Sequence, residues 1–233
     1  MKLSIIIPCF NEINNLEKII LKIHKQKNIT KEIILVDDFS KDGTRELIKK
    51  SLYKKVDKVI YHARNLGKGA CIKSALKNIT GEIVLIQDAD LEYSPSDYKK
   101  LILPIIRNKS LVVYGSRVLN KNRYKTKGFT SLYRIFANHI LTIISNIINN
   151  QSLTDAHTCY KVFHKNVLSR LKLNENDFSF CPELTTKISK LSIKIIEVPI
   201  KYKGRSYIEG KKINFYDAIR ALIVLFKYRY IND

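Results

Sequence analysis

Residues 81–92 read Gly-Glu-Ile-Val-Leu-Ile-Gln-Asp-Ala-Asp-Leu-Glu, and their order decides the fold. Residues 82–87 have a continuous apolar centre rich in β-branched side chains, the pattern of a strand buried on both faces. That strand runs directly into Asp88, Asp90 and Glu92. The same grammar appears on either side of it. Residues 3–8 lead into Pro8-Cys9-Phe10-Asn11-Glu12, residues 32–37 into Asp37-Asp38-Phe39-Ser40, and residues 58–61 toward Asn65-Leu66-Gly67-Lys68-Gly69. Residues 111–114 read as a fifth strand. Between the strands, residues 14–27, 43–53, 67–78 and 96–107 carry apolar side chains at helical spacing, as in Ile13, Leu16, Ile19, Ile20 and Ile23. Asp42 reads as an N-cap, and Ser94-Pro95-Ser96 as a second helix start. Alternating strands and helices with short connections predict an α/β fold whose central sheet is mostly parallel and flanked by helices.

The second half is less regular. Residues 129–148 form a long apolar-rich helix candidate, and residues 159–163 and 193–198 read as strands with a helix at 182–190 between them. Residues 213–230 close the chain as an amphipathic helix. With 233 residues, 45% of them apolar, and no repeat or linker, one domain (1–233) is expected. Its halves would be 1–115 and 116–233.

The chain has 42 Lys+Arg against 21 Asp+Glu, a formal charge of +21. That excess fits nucleic acid, an anionic membrane surface or a phosphorylated substrate. Its placement separates these. From Tyr98 to Thr154 there is no Asp or Glu, but ten Lys/Arg fall there. Aromatics are not interleaved with these cations as a base-stacking platform requires, so nucleic acid is not expected as a partner. Cys9, Cys71, Cys159 and Cys181 stand far apart with no CxxC pair, which argues against a disulfide scaffold or zinc site and for a reducing compartment. The first twelve residues carry an apolar run too short for a signal peptide, and no run is long enough for a membrane-spanning helix.

In doubly wound sheets ligands bind at the carboxyl ends of the strands, where the four polar clusters meet. Asp88-Ala89-Asp90 either forms two solvated turn carboxylates or faces one hard divalent cation; Glu92 and the apolar strand before them favour the cation. Asp38 offers acceptors for the N–H groups of a base. Gly67-Lys68-Gly69 is neither a dinucleotide fingerprint nor a P-loop. Its lysine can touch a nucleotide, or its glycines can serve a tight turn.

Taken together, Pro8-x-x-Asn11-Glu12, Val36-Asp37-Asp38-x-Ser40-x-Asp42-Gly43-Thr44, Asn65-x-Gly67-x-Gly69 and Asp88-Ala89-Asp90 resemble the family 2 glycosyltransferases of GT-A fold. Gly115-Ser116-Arg117, Thr154-Asp155, Tyr160-Lys161, Glu197-Val198-Pro199-Ile200 and Arg205 are similar to the polyprenyl- and dolichyl-phosphate mannosyltransferase branch. The resemblance implies an inverting, metal-dependent hexosyltransferase with a GDP- or UDP-hexose donor and Mg²⁺ or Mn²⁺. By the same resemblance Pro8, Phe10, Glu12, Val36 and Asp38 hold the base and ribose. Asp88, Ala89 and Asp90 hold ribose, diphosphate and metal, and Glu92 completes the metal shell. Lys68 is added to the donor side, and Arg205 and Lys211 face phosphates. Phe10 stands where the family usually has Tyr, Glu92 where these synthases often have Gln, and Ala156-His157-Thr158-Cys159 where many relatives have a Gly.

Two acceptors follow. A polyprenyl phosphate is already anionic and needs cations, for which Arg117, Arg134 and Lys211 are the candidates. A sugar hydroxyl needs a carboxylate base, for which Asp155 is the first candidate and Glu183 a weaker one. Asp90 and Asp155 are thus the residues assigned to catalysis. The apolar face of the 129–148 helix (Leu132, Tyr133, Phe136, Ile140, Ile144, Ile147) is read as core packing rather than membrane contact. The last helix, with Phe215, Ile219, Leu222, Ile223 and Phe226 beside Arg220, Lys227 and Arg229, is read as lying on an anionic leaflet. The expected protein is a cytoplasmic enzyme peripheral on the inner face of the membrane.

Overall fold

All seven apolar runs become strands of one sheet in a computed structural model that describes residues 1–120, 132–205 and 215–231, the side chains of 132–134 and 215 excepted. They are β1 (Leu3–Cys9), β2 (Lys31–Asp37), β3 (Lys58–Tyr61), β4 (Ile83–Ile86), β5 (Val112–Ser116), β6 (Lys161–His164) and β7 (Ile196–Pro199). Their order is β3-β2-β1-β4-β6-β5-β7. Every neighbouring pair is parallel except the two made by β6, which runs antiparallel between β4 and β5. The expected mostly parallel sheet is therefore present.

The helices are α1 (Leu16–His24), α2 (Thr44–Leu47), α3 (Lys68–Leu76), α4 (Tyr98–Ile106), α5 (Leu132–Asn149), α6 (Lys165–Leu168), α7 (Phe180–Lys190) and α8 (Phe215–Tyr230). The helix expected at 43–53 is regular only over its first turn and then widens into a π turn and tightens into a 3₁₀ turn. Asp42 is not itself the cap. It accepts from the Thr44 N–H and the Ile13 N–H, while Gly43 takes the cap position with φ +92°, a conformation open to glycine.

The alternation of side chains along β1 sorts the interior into two cores. Leu3, Ile5 and Ile7 pack with Leu16, Ile19, Ile23, Leu101 and Ile105 on one face. Ile6 packs with Cys71, Ile72, Phe180, Leu184 and Ile188 on the other. A strand buried on both faces has no polar alternation, which is why β1 reads as a plain apolar run.

The helix α5 contradicts its expected orientation. Thr142, Ser145 and Asn149 are buried, at 2%, 1% and 0% exposure, whereas Phe136, Ile140, Ile143 and Ile147 are exposed, Ile147 at 76%. The Thr142 hydroxyl donates to the Asn138 carbonyl, the Asn149 amide donates to Ser145 Oγ and the Ser189 hydroxyl to the Asn149 main-chain carbonyl, while Asn149 Oδ1 is buried without a hydrogen-bond partner among the described residues. The apolar face is therefore not core. The neighbouring α8 buries Ala221, Val224, Leu225 and Tyr228 and exposes Tyr216, Ile219, Ile223 and Phe226.

Candidate active site

The chain leaves β1 toward β2 on one side and later adds β4 on the other, so the carboxyl ends of β1 and β4 flank a switch point of the sheet. Beyond β4, Gln87 fixes the acidic turn. Its Oε1 accepts from the hydroxyls of Tyr98 (2.8 Å) and Tyr160 (2.6 Å), and its Nε2 donates to the Asp88 carbonyl. Leu91 then adopts φ +63°, and the Glu92 N–H donates to Asp90 Oδ1 at 3.1 Å. The turn is tight because a buried amide and two tyrosines hold its first peptide.

Residues 200–205 arrive beside this turn from the far end of the chain. An isolated antiparallel bridge joins Tyr93 to Tyr202, the Lys203 N–H donates to the Glu92 carbonyl, and the Tyr202 hydroxyl donates to Glu92 Oε2. Arg205 is thereby set over the carboxylates. Its Nη2 donates to Asp90 Oδ2 at 2.8 Å, its Nη1 lies 3.1 and 3.2 Å from the two oxygens of Glu12, and its Nε is 3.7 Å from Glu92. Its own N–H donates to Glu92 Oε1. Burial, then the neighbouring Asp88 and Glu92 charges, push the Asp90 carboxyl up to about 7 despite this guanidinium. Lys68, at the start of α3, pairs with Asp88.

These hard oxygens fit a divalent cation: Asp88, Asp90 and Glu92 sit on one turn, and the cage they form with Glu12 already accepts a cationic group. Their oxygens do not converge on one point. The three-group cluster that does converge among the described residues is Asp38, His62 and Cys71, with ligating atoms within 4.8 Å of one another. That cluster is a hydrogen-bonded network. Burial and Asp38 raise the Cys71 thiol far above its ordinary range, so it stays protonated.

Asp38 is buried and already engaged. It accepts from His62 Nδ1 (2.7 Å), the Leu66 N–H (2.9 Å) and the Gly67 N–H (2.8 Å), which makes it the post of the loop before α3. The glycines of that loop answer a close tertiary approach. A Cβ on Gly67 would lie 2.6 Å from the Asn176 carbonyl oxygen, and one on Gly69 2.5 Å from that of Glu175. Glu12 and Ala89 are buried, Pro8 and Phe10 half-buried, at the ends of β1 and β4. Val36 is fully buried in the core beside Ile6 and Ile34, so any contact it makes with a ligand is through its main chain.

Asp155 is held by Arg117. Arg117 Nε and Nη2 each donate to it at 2.7 Å, and the Arg117 N–H donates at 3.1 Å. Burial alone would raise this carboxyl, but Arg117 holds it below the usual range. Both residues are buried, and Arg117 stacks over the Tyr202 ring, with its guanidinium carbon 5.1 Å from the ring centroid. Asp155, the candidate general base, and Arg117, the candidate phosphate ligand, are thus paired with each other in this structure. Glu197 holds this pair in turn, accepting from the Thr154 and Asp155 N–H groups. Glu183 is likewise internal: it accepts from the Asn174 and Glu175 N–H groups and pairs with Lys187. The Arg134 side chain and Lys211 lie outside the described residues. Gln87 and His62 were not singled out in the sequence, since each acts through partners distant along the chain, and Glu197 was marked only as part of a motif, with no role attached.

A largely parallel sheet that reverses one strand beside an Asp-Ala-Asp turn at its switch point is the GT-A architecture of glycosyltransferases. Residues 4–172 match the family described as Glycosyl transferase family 2, and the chain belongs to that family. It is 29% identical over 235 residues to the dolichol-phosphate mannosyltransferase of Pyrococcus furiosus, an alignment covering 98% of this chain but 64% of that protein. It is 28% identical over 241 residues to a dolichyl-phosphate beta-glucosyltransferase of Trichomonas vaginalis (96% and 72% covered). It is 30% identical over 217 residues to a UDP-N-acetylglucosamine–dolichyl-phosphate N-acetylglucosaminyltransferase of Methanococcus voltae (84% of each). Glucosyl-3-phosphoglycerate synthase from Mycobacterium tuberculosis matches the whole chain and 82% of its own, with TM-score 0.75 at 15% identity. The complex of that enzyme with Mn²⁺, UDP and glucosyl-3-phosphoglycerate gives 0.72 at 16% identity, covering 81% of that chain. These structures share the fold. No helix among the described residues is long and apolar enough to cross a membrane.

Proposed function

We propose that this glycosyltransferase moves one hexose from a nucleotide-diphosphate sugar, GDP- or UDP-linked, to a polyprenyl phosphate at a membrane surface, with inversion. The observation that carries the reading is the outward apolar face of α5, continued by the exposed Ile219, Ile223 and Phe226 of α8. A helix that turns Ile147 out and Asn149 in is suited to a partner less polar than water. Arg229 beside it suits an anionic leaflet, while Arg220 pairs with Glu175 and Asp177. The names of the three curated relatives given above, each a dolichyl- or dolichol-phosphate glycosyltransferase, support the same acceptor class. With four free thiols the protein suits a reducing compartment, peripheral on the inner, cytoplasmic face of the membrane.

Asp88, Asp90 and Glu92 would hold Mg²⁺ or Mn²⁺, whose charge stabilises the departing diphosphate. The protein's part is positioning. Gln87 and Leu91 shape the turn, Asp38 and His62 hold the loop that presents Lys68, and Arg205 is within reach of a diphosphate beside Asp90. Pro8, Phe10, Glu12, Asp38, Ala89 and the main chain of Val36 frame the base and ribose. Residues 1–115 together with Arg205 supply this donor side, and the rest of 116–233 the acceptor side. An anionic acceptor oxygen attacks in line without a strong base, which agrees with Asp155 being bound to Arg117. The test is turnover of GDP- and UDP-hexoses with polyprenyl phosphate in vesicles; glycolipid is expected, and none with any common donor overturns the proposal.

A further inference from the structure

We propose that Arg205 is a built-in competitor of the divalent cation at the acidic turn, released only when a nucleoside diphosphate enters with the metal. The inference rests on the metal reading given above and concerns how that site is filled. The guanidinium bonds to Asp90 and Glu12 and lies 3.7 Å from Glu92, so it spans two of the three carboxylates assigned to the cation. Its side chain is 15% exposed and its main chain is pinned by Glu92. It is part of the folded site rather than a passing surface contact.

A guanidinium and a divalent ion held by the same oxygens would compete for them and repel each other. Metal alone therefore has to break the Arg205 bond to Asp90 and leave the guanidinium on Glu12. A diphosphate changes that balance. Its oxygens accept two parallel guanidinium bonds as well as a carboxylate does, so Arg205 can turn to the diphosphate while the metal takes Asp90 and Glu92. Metal and nucleotide then bind with positive coupling, each raising the affinity of the other by the same factor. Lys68 covers Asp88 in the same way, so the chain's own cations offset part of the negative charge of the unliganded turn.

Equilibrium dialysis of Mn²⁺ against the wild type, Arg205→Ala and Arg205→Gln, without and with UDP or GDP, reads this directly. Without nucleotide, both variants are expected to bind Mn²⁺ at least tenfold more tightly than the wild type. In the wild type, nucleoside diphosphate is expected to raise Mn²⁺ affinity at least tenfold, and that gain shrinks in the variants. Equal or weaker Mn²⁺ binding by both variants without nucleotide, while nucleotide still recruits Mn²⁺ to the wild type, overturns the role of Arg205 alone. No Mn²⁺ retention by any protein, or retention by Arg205→Ala that survives a further Asp90→Ala change, overturns the metal reading with it.

Discussion

Arg117 and Asp155, 38 residues apart, meet in a bidentate pair with both N···O distances at 2.7 Å and both side chains buried. Removing one partner of such a pair strands the other charge, at a cost of about 3–5 kcal/mol. Asp155→Ala is expected to lower denaturant stability by about that amount. Turnover per folded molecule of the milder Asp155→Asn should fall less than about tenfold, well short of the loss that follows removal of a general base. Denaturant titration beside activity normalised to folded protein checks both, and a near-total loss in folded Asp155→Asn would restore the base.

Asp90 sits at the centre of the charge cage and is the carboxylate that Arg205 grips. Asp90→Ala should abolish turnover, by more than about a thousandfold, since leaving-group stabilisation of this kind is worth several kcal/mol. The circular dichroism spectrum should be unchanged. Full activity in the variant would remove Asp90 from the reaction.

Glu32 joins three segments, accepting from the Ser4 hydroxyl, the Thr80 N–H and hydroxyl, the Gly81 N–H and the Lys2 ammonium. Burial works to raise this carboxyl, but the hydrogen bonds outweigh it and hold the pKa at about 2, against 4.5 unfolded. The folded value is the depressed one. Its stabilisation, of order 3 kcal/mol, is therefore complete above pH ~4.5 and lost as pH falls toward ~2. Glu32→Gln is expected to flatten that acid limb and to be less stable at pH 7, measured by urea unfolding across pH.

Ile143 and Ile147 face outward on α5 and support no core. Replacing both with Ser should weaken binding to anionic vesicles at least about tenfold while leaving Tm within about 2 °C, because exposed substitutions seldom exceed ~0.5 kcal/mol. Vesicle co-sedimentation beside thermal melting separates this from core packing, which would lower Tm sharply.

Gly69 lies against the backbone of residues 175–176. Gly69→Ala should cost about 1–3 kcal/mol, since backbone rather than a movable side chain meets the new methyl. Denaturant unfolding measures it.

The strands, their order of appearance and the carboxylates at their ends were legible because each is a local pattern. A run such as Ile83–Ile86 is buried on both faces wherever it is placed, and Asp88 and Asp90 follow it through the covalent chain. Family membership, carried by short motifs in sequence order, was legible for the same reason.

Tertiary structure decided what those groups touch. Arg205 reaches Glu12 across 193 residues and Asp90 across 115, through a strand-like approach that no local periodicity announces. Asp155 looked available as a base until the fold placed Arg117 against it, and Asp38 until the loop at Leu66–Gly67 closed on it. The face that α5 buries was likewise settled by its neighbours. A helical stripe records which residues lie together, but which stripe meets the core depends on the shape and polarity of the surface it packs against.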